Sequence, residues 1–341
     1  MRSSSLFFLG FLLLATITGA ALFTDLFRRS TPQKQTHPKI VYGWNLWPGA
    51  LPSLVAYEKG FFREEGLDVD LKLVKEYRDL ITNLEQGRVT YMGELALIDA
   101  LERTANGQNF RVVSATDFSS GADGIVASPA IQDVKALKYK RVAVEKSTLG
   151  EYLLRQALTS AGLSLQDLTV VDLPASEAAE AFIQGEVSAA VTFEPHLSRA
   201  LSASNGHLIF TSAQTQNLIT DVTVFQKNFV DQYPETVQAV VRATLKATEY
   251  IKQYPEESFV IGGRYFSITP EAFQAQFRGI QLYDLQQNRN YFSYTAGPDS
   301  IFQHASSLYS FLVTSRVIDA KNTFDLDALI DPRFIMGVTR H

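Results

Sequence analysis

Apolar and polar positions follow two periods along this chain, and the first clear instance sets the pattern for the rest. Ile40, Val41 and Tyr42 form an apolar run that Gly43 closes, which predicts a strand. The loop Trp44-Asn45-Leu46-Trp47-Pro48-Gly49 follows and holds both tryptophans of the protein. Pro52 suits the first turn of a helix, where a missing N–H costs nothing. Leu54, Val55 and Tyr57 give that helix an inward stripe, and Gly60 supplies its left-handed end. After Gly66, the run Leu67-Asp68-Val69-Asp70-Leu71 has the period of a half-buried strand. Strand, helix and strand make a βαβ unit. Its first loop lies at the carboxyl end of a strand, where open α/β sheets bind ligands.

The alternation continues. It predicts a helix over 77–86 (Leu80, Ile81, Leu84), a strand over 89–92, a helix over 95–106 and a strand over 110–115. This order argues for a largely parallel sheet with helices on its faces. The small and acidic residues of 117–123 then break the rhythm and predict a crossing into a second lobe. There, strands are expected over 124–127, 141–144, 168–172, 189–193 and 208–211. Helices open at Ser147-Thr148-Leu149-Gly150 and at Ser176, with a short one over 197–204. The chain returns through a strand near 221–225 into a long helix over 234–254. A further helix starts at Thr269-Pro270, where Thr caps and Pro takes the first turn, and another covers 298–313. The C-terminal portion reads as wholly helical.

Composition narrows the class. The 341 residues are 46% hydrophobic and 20% charged, ordinary for a globular chain with ample core. A net charge of -5 and the lack of a basic stripe argue against a nucleic-acid surface. The chain has no cysteine, which excludes disulfides, thiol catalysis, Cys-ligated metal sites and a lipidated-Cys anchor. Arg2, the apolar run that follows and Gly19-Ala20-Ala21 have the layout of a secretory signal. Leu22 and Phe23 extend the apolar stretch to roughly 18 residues, the lower limit for a spanning helix. Residues 1–30 are therefore expected to be a signal peptide or an N-terminal anchor, and 31–38 a polar linker. Either alternative places the folded part outside the cytoplasmic membrane.

Four stretches carry a resemblance: A-Y-E-K-G-F-F-R-E-E-G-L-D-V-D-L from Ala56, L-E-Q-G-R-V-T-Y-M-G-E from Leu84, S-T-L-G-E-Y-L-L-R-Q-A-L-T-S-A-G-L from Ser147, and A-F-I-Q-G-E-V-S-A-A-V-T-F-E-P from Ala181. They resemble solute-binding proteins of bacterial ABC importers, in the nitrate/sulfonate/taurine and thiamine-pyrimidine-precursor group, over 40–254. The resemblance implies an α/β, type II periplasmic-binding-protein fold, two α/β lobes with a ligand cleft between them. The first lobe would be discontinuous (39–118 and 221–341) and the second would cover 119–220. It further implies a monomer without cofactor that delivers a small solute to permease subunits driven by a cytoplasmic ATPase. Two rival readings accompany it: a membrane-tethered sensor or adaptor using the same cleft, and an enzyme like the related thiamine-pyrimidine synthase. That synthase type depends on a Cys-rich motif, which is missing here.

Ligands of such a fold meet loops at strand ends and helix N-termini. The candidate positions are Trp44, Asn45 and Trp47; Glu94; Asp117 and Ser119; Ser147, Thr148 and Gly150; Glu194; and Asn217 with Asp221. The resemblance supports the first loop, the Gly93-Glu94 loop, the turn from Ser147 to Gly150, and Glu194. Each position has a plainer alternative. A Trp beside a first strand serves equally as a packing residue, Ser147-Thr148 as a helix cap, Glu194 as a solvated strand end, and Asp123 as a pin for the crossing. These loops carry Glu94, Asp117, Asp123, Glu145, Glu151, Glu194 and Asp221 against Lys146 alone. Burying unpaired carboxylates is costly, so such a cleft favours an amine-bearing solute, taurine-like or an aminopyrimidine, over nitrate or a simple sulfonate. A zwitterion would place its anionic end on the helix at Ser147 and its ammonium on Glu194. The five histidines lack metal-ligand spacing, so no metal is assigned.

Overall fold

The computed structural model describes residues 37–215 and 218–339; the expected signal or anchor at 1–30 lies outside them. Among the described residues no helix is long and apolar enough to cross a membrane.

Among the described residues eleven strands form two sheets. In chain order the first four are β1 (Ile40–Trp44), β2 (Val69–Leu73), β3 (Tyr91–Ala96) and β4 (Phe110–Ser119). Then come β5 (Asp123–Ala127), β6 (Arg141–Val144), β7 (Thr169–Asp172), β8 (Ala189–Phe193) and β9 (His207–Thr211). The last two are β10 (Thr220–Gln226) and β11 (Ile280–Leu282). The six-stranded sheet has the order β11-β4-β10-β3-β1-β2, the five-stranded one β7-β6-β8-β5-β9. The parallel expectation holds for β1 with β2 and β3, and for β6 with β7 and β8. Elsewhere it fails: β10 is antiparallel to β3 and β4, and β5 is antiparallel to β8 and β9. The cause is topological, because the strands that carry the chain between sheets enter each sheet reversed.

Three boundaries depart from the sequence pattern. β3 continues through Leu95 and Ala96, so the next helix starts at Leu97. β4 runs on to Ser119, so Asp117 belongs to a strand and pairs with Asp221 on β10. The C-terminal portion is not wholly helical: Ile280–Leu282 adds the edge strand beside β4.

The helices used below are α1 (Leu51–Glu58), α2 (Tyr77–Glu85), α3 (Leu97–Ala105), α4 (Leu149–Ser160), α5 (Ala175–Ile183), α6 (His196–Ala203), α7 (Pro234–Gln253) and α8 (Pro255–Phe266). Pro52 does lie in the first turn of α1, and Gly60, at φ 77°, ends the segment in a conformation that Gly adopts without penalty. The expected long helix stops at Gln253. Tyr254 takes φ −132° and ψ 61° because the following Pro255 disfavours helical geometry before it, and a new helix begins there.

The chain leaves the six-stranded sheet after Ser119, enters the other at Asp123, and comes back between Thr211 and Thr220. The two crossings are tied together. Ser119 Oγ lies 2.7 Å from Ser212 Oγ, which also accepts the Gly121 N–H at 2.7 Å. Both sheets bury apolar faces; β8 and all of β3 are buried throughout. The carboxyl ends of β1 and β3, and the end of β4 beside the start of β10, converge where the two lobes face each other.

Candidate functional site

A small cavity lies there, lined by Asn45, Trp47, Tyr77, Glu94, Asp123, Leu149, Phe193, Ile219 and Asp221. Its volume is about 10 Å³, room for roughly one water molecule. Asn45 and Trp47 come from the loop after β1, Glu94 from β3, Asp221 from β10 and Tyr77 from the start of α2. Asp123, Leu149 and Phe193 reach it from the other lobe. The lobes close edge to face on aromatics: the Trp47 and Phe193 ring centroids are 5.9 Å apart, those of Tyr77 and Phe193 6.4 Å.

The walls are acidic, and no Lys, Arg or His lines them. Glu94 Oε2 accepts the Tyr42 hydroxyl at 2.7 Å, while Glu94 Oε1 has no partner. Burial pushes the Glu94 carboxyl up to about 8 against the Tyr42 hydrogen bond. Burial also raises Asp123, to about 7, with Glu194 adding to the effect and Ser119 opposing it. Asp117 and Asp221 are held well above the usual carboxylate range, first by burial and then by their acidic neighbours, Glu94 for Asp117 and Asp117 for Asp221. Both Asp117 oxygens, Asp123 Oδ2 and Asp221 Oδ1 are buried without a hydrogen-bond partner. Leaving so many acceptors unmade is costly in a dry site. A ligand that donates hydrogen bonds or carries positive charge relieves that cost.

Trp47 is pressed into this cluster by Gly49. A Cβ on Gly49 would stand 2.2 Å from Trp47 Nε1 and 2.4 Å from Asp117 Oδ2, so only a glycine lets the loop lie against both.

A polar chain bridges the lobes beside the cavity. The Ala96 N–H donates to the Tyr77 hydroxyl at 3.0 Å, which donates to Asp99 Oδ2 at 2.7 Å. The same Asp99 oxygen accepts the Leu149 N–H, the first of α4, at 3.3 Å. Asp99 is fully buried, and burial lifts its carboxyl to about 7 although the Tyr77 hydroxyl and Arg103 pull it down. Further links run from Arg78 to Asp172 (3.2 Å) and Glu145 (3.4 Å), and from Ser176 to Glu76 (2.9 Å). Arg103 donates to the Ser147 carbonyl (3.0 Å) and Arg155 to that of Ser315 (3.1 Å).

Comparison with known proteins places this site in a family. A model described as NMT1/THI5 like matches residues 47–258, more than half of the chain. The chain belongs to the NMT1/THI5-like family. It is 28% identical over 213 residues to the "Putative aliphatic sulfonates-binding protein" of Bacillus subtilis (strain 168). That match covers 61% of this chain and 64% of the relative, so it spans less than two thirds of the relative's length. A 26% match over 233 residues, 63% of this chain and 67% of the relative, reaches the 4-amino-5-hydroxymethyl-2-methylpyrimidine phosphate synthase of Aspergillus parasiticus. Among solved structures, the alkanesulfonate-binding protein SsuA from Xanthomonas axonopodis pv. citri superposes with a TM-score of 0.72 at 16% identity. That likeness covers 87% of this chain and 99% of SsuA, and it establishes the two-lobed periplasmic-binding-protein fold.

Within this NMT1/THI5-like chain the expected site residues separate. Asn45, Trp47, Glu94 and Asp221 line the cavity. Asp117 is fully buried beside Trp47 at Gly49. Trp44 turns away from the cavity: its ring meets Tyr265 edge-on at 5.7 Å and packs near Phe266, both from α8. Ser119 ties the crossings through Ser212. Glu194 accepts the Ser198 N–H at 3.1 Å and the Ser198 hydroxyl at 2.8 Å, within the start of α6. Thr148 and Gly150 border a second void of about 10 Å³ that shares Asp123, Leu149 and Phe193 with the first. Asn217 lies outside the described residues.

The helix-cap reading of Ser147-Thr148 needs correction. Thr148, at the cap position, gives its hydroxyl to the Glu145 carbonyl at 2.9 Å instead of accepting from the first turn. Ser147 is exposed with φ 56°, and its N–H goes to Glu151. The Leu149 N–H, the first that an incoming anion would meet on α4, is taken by Asp99 from the facing lobe. The residues missed by the sequence pattern are Tyr77, Asp99, Leu149, Phe193 and Ile219, with Asp123 read only as a pin. Phe193 was readable as the last residue of a strand facing a loop; Asp99 had no local signal, because its partner is remote in sequence.

Proposed function

We propose that this protein is the extracytoplasmic solute-binding component of an ABC importer that captures a small nitrogen-bearing solute in the cleft between its lobes. The lobes close on the solute by hinge motion at the two tied crossings, and the closed form is handed to permease subunits coupled to a cytoplasmic ATPase. The observation that carries this reading is the set of buried carboxyl groups around Trp47 with unpaired oxygens and no basic side chain among the cavity-lining residues. It favours a solute with an amine or other protonated nitrogen over nitrate or a simple alkanesulfonate, the ligand classes named for relatives and fold neighbours. The kinship with a pyrimidine phosphate synthase gives less support to an enzyme, since no Ser, Thr, Lys or His is among the cavity-lining side chains.

A thermal-shift panel of the folded domain tests the reading. Amine-bearing solutes are expected to raise the melting temperature by mass action; stabilisation by nitrate or alkanesulfonates alone would refute the charge argument.

A further inference from the structure

We infer that the cleft, whose void widens as the lobes part to admit a ligand, selects a compact planar cation with N–H groups on more than one edge, of the guanidinium or small amidinium class, and offers an anionic group no basic side chain. This rests on the solute-binding reading above and narrows it.

Three observations converge on that class. Positive charge is required from several directions at once. Glu94 Oε1 and Asp221 Oδ1 from one lobe and Asp123 Oδ2 from the other are unpartnered, and their residues line one cavity. Glu94, Asp123 and Asp221 are 5%, 2% and 3% exposed, so bulk solvent does not reach them. A single ammonium presents its donors tetrahedrally around one point, whereas a guanidinium spreads five or more N–H groups around a flat rim.

The rest of the lining suits a flat, weakly hydrated ion. Trp47, Tyr77 and Phe193 offer ring surface, and Leu149 and Ile219 are apolar. Guanidinium-type cations stack on aromatic faces and lose less hydration than an ammonium on entering such a site.

An anionic end meets no basic side chain in the lining. The α4 N-terminus, where a sulfonate or carboxylate would bind, already holds the Asp99 carboxylate through the Leu149 N–H. The nearby guanidinium of Arg78 is committed to Asp172 and Glu145. Taurine-like zwitterions are therefore disfavoured, although they carry an amine. The carboxyl groups are protonated in part near neutrality, since burial holds Glu94 and Asp123 at about 8 and 7. Binding a cation ionises them and releases protons.

Titration calorimetry on the full exported domain tests the inference, with guanidinium, acetamidinium, methylammonium, tetramethylammonium, taurine and nitrate as probes. The expected result is a Kd for guanidinium or acetamidinium at least about tenfold below that for methylammonium, with no heat from tetramethylammonium or taurine. Heats should differ between buffers of unlike ionisation enthalpy, reporting proton release at pH 7. Asp221→Asn should weaken the planar cations by at least about tenfold while the chain folds with an unchanged or higher melting temperature. Methylammonium or taurine binding as tightly as the planar cations would overturn the inference and leave an importer of amine-bearing solutes. Nitrate alone would overturn both readings. Silence from every probe would overturn the planar-cation class, and co-purified solute then decides the wider reading.

Discussion

Asp117 on β4 and Asp221 on β10 stand directly opposite each other in the antiparallel ladder, both buried. Like charges at such positions are destabilising, and here Glu94 adds to the pressure on both. Burial and this acidic surrounding raise both carboxyls, so each favours its neutral form more than a free aspartate does.

Asp221→Asn should therefore stabilise the unliganded protein, more at high pH than at low. Moving to pH 6 favours the neutral acid, with which Asn is nearly isosteric. Moving to pH 9 favours the carboxylate, and there the substitution removes a like-charge contact, with an expected gain of about 1 kcal/mol. Urea unfolding at both pH values measures the difference; an equal effect at the two would mean that Asp221 does not titrate with its neighbours.

The unliganded protein should lose stability as pH rises. Glu94, Asp99, Asp123 and Glu145 have folded pKa values of about 8, 7, 7 and 7, against ordinary values of 4.5 or 3.8. Between those limits the folded state holds more protons than the unfolded one, so unfolding releases protons and stability declines with pH. The contribution is fully present below about pH 4 and is lost as pH passes through 7 to 8, with a slope of about 1.4 kcal/mol per pH unit for each proton released. Melting temperatures from pH 5 to 9 should fall; a flat or rising profile would contradict the burial of these groups.

The acidity of the cleft was legible in the sequence because its carboxylates sit in loops and strand ends that the βαβ pattern points to. The details were not. Ile280–Leu282 is too short for a period of two to show above noise. The two tryptophans are near neighbours in sequence, yet Trp44, the last residue of β1, packs against Tyr265 while Trp47 reaches the cavity, a choice made by tertiary packing alone. Asp99 sits in the first turn of an apolar-periodic helix and reads as a solvated helix residue. Its role appears only when Leu149, from the other lobe, is brought to it. The break at Tyr254, by contrast, was available from Pro255.

Asp99→Ala should weaken lobe closure. It leaves the Tyr77 hydroxyl without its acceptor and the first N–H of α4 without a partner, a loss of about 1–3 kcal/mol from the closed arrangement. Small-angle X-ray scattering of the unliganded variant should give a larger radius of gyration than the wild type. An unchanged radius would show that the Arg78 and Ser176 links hold the lobes by themselves.

Gly49→Ala should damage the site by shape. Its new methyl would collide with Trp47 Nε1 and Asp117 Oδ2, and relief requires moving the indole out of the cavity wall. Overpacking of this kind costs about 1–3 kcal/mol. Tryptophan fluorescence should report a shifted environment for Trp47, together with a lower melting temperature. A variant that keeps both would mean the loop relaxes freely.

The cleft is proposed to bind a positively charged nitrogen compound through its carboxylates. Native mass spectrometry of the protein purified from its native cell, followed by identification of the released solute, tests this most directly. A small cation with N–H donors is the predicted result. A sulfonate, nitrate or other anion in the cleft would contradict it.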